Sequence, residues 1–94
     1  MRNIDTGAPH GAAVLKSLRS PAHVRLLELL VAAREKAGMT QQQLADRLGK
    51  PQSFISKYEG GERRIDVIEF IAISEALQMD ASRAIREIRS KFRA

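Results

Sequence analysis

Gln52 and Ser53, followed by Ser56 and Lys57, are the residues of this chain best suited to reading another molecule. Set on one helix, all four share a face near its amino end. A glutamine amide donates and accepts together, which matches the exposed edge of adenine. A lysine donates to the acceptors of guanine, and a serine hydroxyl serves either base. Lys50, Arg63 and Arg64 flank them with donors suited to phosphate, as Lys57 also is, and Gln41 stands where the free N–H groups of a helix start favour an anion. Covalent chemistry has less behind it. Ser53 and Ser56 have no histidine near them in sequence and no nucleophile-elbow motif. His10 and His23 stand apart in a chain without cysteine, so no metal site is expected. Asp66 and Glu69 read as a helix-capping pair, and Gly60-Gly61 ends a helix where a phosphate-binding loop would open one. Neither an enzyme nor a cofactor is expected.

Five helices are needed to position these residues. Ser20-Pro21 is a helix start, with Ser as N-cap and Pro first in the helix. That helix runs to about residue 37, carries Leu27, Leu30, Val31 and Arg34 on one face, and stops at Gly38. Thr40 with Gln43 forms a capping box for the second, whose buried stripe is Leu44, Ala45 and Leu48. Gly49 supplies a turn that favours positive φ. The third helix runs from Pro51 or Gln52 to Glu59, with Ile55 and Tyr58 inward. Asp66 and Glu69 cap a fourth, over about 66–77, with Ile68, Ile71, Ala72 and Leu77 as its inward set. Asp80 opens a fifth, with an apolar stripe of Ala81, Ile85, Ile88 and Phe92. Two short helices joined by a tight glycine turn, the second bearing the reading residues, have the layout of a helix-turn-helix.

The bulk properties fit one small all-α domain. Of the 94 residues 44% are hydrophobic, and no apolar run approaches the roughly 18–20 needed to span a bilayer. MRNIDTGAPHG lacks the apolar stretch of a secretory signal, and the absence of cysteine fits a reducing, cytoplasmic setting. Residues 1–20 read as an N-terminal arm, partly disordered, within which AAVLKSLR forms a helical turn or two; residues 21–94 read as the domain. The net charge of +5 is unevenly spread. Residues 40–64 hold five bases and three acids, residues 65–80 four acids and no base, and residues 81–94 five bases and one acid. A basic domain with such polarity suits a polyanion.

Gly38-x-Thr40-Gln41-x-x-Leu44-Ala45, then Leu48-Gly49, then Gln52-Ser53-x-Ile55-Ser56-x-x-Glu59-x-Gly61-x-Arg63 closely resembles the phage-repressor/Cro-type (Xre-type) DNA-binding domains over about residues 24–78. The resemblance implies a compact lambda-repressor-like bundle of about five helices, with the second and third as the DNA-binding pair. It implies that Gln41 contacts phosphate and buttresses Gln52, and that Arg34 and Glu59 form a buried ion pair bracing the first helix against the third. Pro51 departs from the pattern, which often has Ser or Thr there, and one backbone contact goes with the lost hydroxyl. Phe54 lies between the reading positions and the buried face. It can pack in the core, touch a thymine methyl or shield the sugar backbone, and core or boundary packing is the expectation.

Two functions compete. The first is a sequence-specific transcriptional regulator, a repressor, that binds a palindromic operator as a homodimer, with the third helix in the major groove and no membrane association. The second is an antitoxin-like module that docks a protein through the terminal helix or AAVLKSLR and also binds its own promoter.

Overall fold

A computed structural model describes residues 18–93. Among them are five helices and no strand: α1 (Pro21–Lys36), α2 (Gln41–Leu48), α3 (Gln52–Glu59), α4 (Val67–Leu77) and α5 (Ala81–Arg93). AAVLKSLR lies outside the described residues except for Leu18 and Arg19.

Local hydrogen bonds fix where most of these helices begin. The Ser20 hydroxyl accepts from the His23 N–H at 3.2 Å, and Pro21 follows as the first helical residue. Thr40 accepts from Gln43 N–H at 3.0 Å while Gln43 accepts from Thr40 N–H at 2.9 Å, closing the box that starts α2. Asp66 and Glu69 close the same box at α4. Gly49 (φ 67°) takes the left-handed conformation that turns α2 into α3, and Lys50 N–H bonds back to the Ala45 carbonyl at 3.0 Å. The same conformation ends α4, but at Gln78 (φ 54°), a residue that pays a steric penalty there that glycine escapes.

One core joins the helices. Leu30 of α1, Leu44 and Ala45 of α2, Phe54, Ile55 and Tyr58 of α3, Phe70, Ile73 and Leu77 of α4 and Ala84 of α5 pack together. α2 lies against α3 and α4, and α5 packs chiefly on α1, tied there by a pair from Arg25 to Glu87 at 2.8 Å. Each large side chain buried in this way stabilises the fold by about 1.5–3 kcal/mol.

Two of the expected stripes are corrected. In α4 the inward set is Phe70, Ile73, Ser74 and Leu77; Ile68, Ile71 and Ala72 face solvent, and of the expected set only Leu77 is buried. Ile68, Ile71 and Ala72 repeat the three-and-four spacing of Phe70, Ile73 and Ser74, and the set carrying the bulky Phe70 is the one the core accommodates. In α5 the fully buried residue is Ala84, with Ala81 and Ile88 half-buried and Ile85 and Phe92 exposed. α1 covers one flank of that stripe, and the small Ala84 permits the close approach.

Candidate nucleic-acid interface

α2 and α3 hold the sequence-selected residues through a relay of side-chain hydrogen bonds. The Arg34 guanidinium donates to Glu59 from Nε at 2.7 Å and from Nη2 at 3.0 Å, and from Nη1 to the Met39 carbonyl at 2.9 Å. These side chains are 14% and 7% exposed, so the pair is largely shielded from water and the bidentate geometry is what makes it tolerable. The hydrogen bond to Glu59 raises the Arg34 pKa further above its ordinary range. Gln41 Nε2 then donates to Glu59 Oε1 at 2.9 Å, and Gln52 Nε2 donates to Gln41 Oε1 at 2.6 Å. The relay thus runs from the end of α1, through both ends of α3, to the amide of Gln52. One N–H and the Oε1 of that amide fall outside the relay, a donor and an acceptor side by side.

The other reading candidates follow Gln52 along α3. Ser53 and Lys57 are exposed and Ser56 is half-exposed, its hydroxyl donating to the Ser53 carbonyl at 3.2 Å. Pro51 sits at the N-cap, one position before the helix proper, and provides no side-chain cap. Phe54 packs into the core edge-to-face with Tyr58, ring centroids 5.5 Å apart. Two cations lie over its ring: Lys50 Nζ is 5.3 Å and the Arg63 guanidinium 4.7 Å from the ring centroid.

Arg63 and Arg64 belong to the segment between α3 and α4. Arg63 donates to both carboxylate oxygens of Glu69, at 3.1 and 3.0 Å, and to the Arg64 carbonyl at 2.8 Å. The Arg63 guanidinium, ahead of the Asp66 N–H, holds the Glu69 carboxyl below its usual range. Arg64 is exposed and lies near His23, whose pKa is lowered by burial first and by the Arg64 charge second. Burial also raises the Tyr58 phenol. The sequence reading found the residues on α2 and α3 that the structure brings together, but missed Glu69 as the partner of Arg63. The spacing of six residues across a turn is no helical signal, and Glu69 already had a role as a cap. Among the described residues no group of three or more metal-ligating side chains gathers, and no helix is long and apolar enough to cross a membrane.

A helix-turn-helix family model matches residues 30–82, just over half of the chain. Among solved structures, an XRE-family like protein from Pseudomonas syringae pv. tomato str. DC3000 is similar to this chain. The two share 45% identity over 73% of this chain and 84% of that one, with a TM-score of 0.69. No curated protein matches.

Proposed function

The chain belongs to the Xre-type helix-turn-helix family of DNA-binding transcription regulators, and from that premise we propose that it reads a specific duplex sequence with α3 in the major groove. Gln52, Ser53, Ser56 and Lys57 contact base edges. Gln41, Lys50, Arg63 and Arg64 hold the phosphates on either side. One such head touches few bases. Two of them, about 34–36 Å apart and one turn of DNA away from each other, give usable specificity. The protein therefore works as a dimer on a partly palindromic operator, where the chromosome is, and represses by occluding polymerase.

The observation that carries this reading is the relay ending at Gln52. A free glutamine on a helix loses rotamer entropy when it docks on a base, whereas an amide already anchored at 2.6 Å by Gln41 loses less. Selection of bound duplexes from a random pool, with the mass of the complex measured, tests it. The expected result is a pair of inverted half-sites about 10–10.5 base pairs apart, centre to centre, bound by two chains. A pool with no enriched sequence would overturn the assignment of α3 as a reading helix.

A further inference from the structure

Arg63 is held from three directions within the chain. Its Nη1 donates to Glu69 Oε1 at 3.1 Å and its Nη2 to Glu69 Oε2 at 3.0 Å, and Nη1 also donates to the Arg64 carbonyl at 2.8 Å. The guanidinium lies over the Phe54 ring, 4.7 Å from its centroid. Phe54 belongs to the first turn of α3, two residues after Gln52. The ring contact therefore brings a side chain from beyond the carboxyl end of α3 back toward its amino end.

Glu69 is fixed in its turn. Its Oε1 also accepts the Asp66 N–H at 2.9 Å, as half of the capping box that opens α4, so the carboxylate is anchored to backbone. The Arg63 and Glu69 side chains are 39% and 19% exposed, so the carboxylate is the more covered of the two and the guanidinium keeps access to solvent.

This arrangement leaves one particular edge of the guanidinium unused. An arginine has five N–H donors in a planar array. Glu69 takes the fork formed by Nη1 and Nη2, and the Arg64 carbonyl takes the other hydrogen of Nη1. What remains is Nε–H and the second hydrogen of Nη2, which point the same way and form another two-donor fork. Among the described residues, neither meets an acceptor. A phosphate offers a pair of oxygens that matches such a fork.

We propose that Glu69 is a positioning residue for DNA binding: it holds one edge of the Arg63 guanidinium over Phe54, so that the free edge takes a single phosphate beside α3. This rests on the phosphate contact proposed above for Arg63 and names what aims it. A loop arginine loses rotamer freedom when it docks on phosphate, and Arg63 has already lost much of it on folding. The opposing possibility is competition, in which the carboxylate occupies a guanidinium that phosphate needs.

Glu69→Gln separates the two. Glutamine keeps a carbonyl oxygen for the Asp66 N–H and is itself favoured at that place in a capping box, so α4 keeps its start, which circular dichroism checks. It loses the charge and the two-oxygen grip on Arg63. Affinity for the selected operator and for a scrambled duplex is measured at one salt concentration for wild type, Arg63→Ala, Glu69→Gln and the double variant. Removal of an acid close to DNA favours binding by itself, and the step from Arg63→Ala to the double variant measures that gain alone. Glu69→Gln is expected to weaken binding to both duplexes by about three- to tenfold when Arg63 is present, and not to weaken it when Arg63 is absent. Glu69→Gln binding as tightly as wild type or more tightly would overturn the proposal, as would an equal loss with and without Arg63. A loss confined to the selected operator would also overturn it, because a phosphate clamp ignores sequence. Unchanged affinity in Arg63→Ala would remove the phosphate contact itself, and the role of Glu69 with it. The scrambled-duplex arm does not depend on sequence reading by α3, so a failed clamp and a failed reading helix are told apart.

Discussion

α3 buries every large apolar side chain it has, whereas α4 keeps three of its own in solvent. Phe54, Ile55 and Tyr58 all enter the core. Phe70, Ile73 and Leu77 do so from α4, but Val67, Ile68 and Ile71 remain outside. The polar sides differ in the same sense. The ends of α3 are wired through Gln41 and Glu59 to Arg34, whereas Glu75 on the outward face of α4 has no ion-pair partner among the described residues. A helix packed on its apolar side and hydrogen-bonded at both ends can present Gln52 in a fixed pose. A helix with a second apolar face has material left for another surface. The two helices thus differ in how completely they are tied into the fold: α3 on its apolar side and at both ends, α4 on one side alone.

The comparison is broken most directly at Glu59. Glu59→Ala leaves Arg34 without its carboxylate partner in a shielded site and is expected to destabilise the fold by about 3–5 kcal/mol, read as a lowered urea midpoint. Ile55→Ala should cost about 2–5 kcal/mol in the same assay, while Ile68→Ala, on the outward face of α4, should stay within about 0.5 kcal/mol in the monomer. Equal losses at Ile55 and Ile68 would erase the distinction between the two helices. Gln52→Ala should leave the urea midpoint unchanged and reduce discrimination at its base pair by about 1–3 kcal/mol, seen as weaker binding to the selected operator with little change on a scrambled duplex. Arg63→Ala should weaken binding to every sequence and lower the slope of log affinity against log salt by about 1. An unchanged slope would mean that the Arg63 guanidinium serves Glu69 alone.

The smallest effect belongs to His23. Burial lowers its pKa in the folded state, so the unfolded chain binds the proton first as pH falls. Stability is therefore full above about pH 6.5, the unfolded value, and declines as pH drops below it toward the folded value. Glu69 and Glu87 have lowered pKa values, and their contributions are lost at lower pH, starting near the ordinary carboxylate value of about 4.5. Urea midpoints at pH 7.5 and 5.5 isolate His23, and the difference between them should shrink in His23→Phe. An equal difference in both proteins would remove His23 from the account of acid sensitivity.

The placement of the candidate residues was largely legible in the sequence. Gln41, Gln52, Ser53, Ser56 and Lys57 fall on elements whose boundaries are written in capping residues, and the Arg34–Glu59 pair follows from the family pattern. Phe54, left with three possible roles in sequence, is resolved by its burial against Tyr58. Less legible were the contacts made by charged side chains far apart along the chain. Arg25 meets Glu87 across 62 residues, and nothing local in either helix selects that partner.

The sequence alone determined where most of the helices start and where the turn after α2 falls. A capping box, a proline after serine or a glycine in a left-handed turn acts over three or four residues, and its energy does not depend on what the rest of the chain does. It also determined that residues 65–80 are acidic and residues 81–94 basic. Only the tertiary structure decided which side of α4 and which flank of α5 would be buried. VIEFIAISEAL is apolar nearly all round, so its periodicity supports two faces equally. The choice fell to the shape and volume of the core offered by α1, α2 and α3, which accepted Phe70, Ile73 and Leu77 and left the opposite face in solvent.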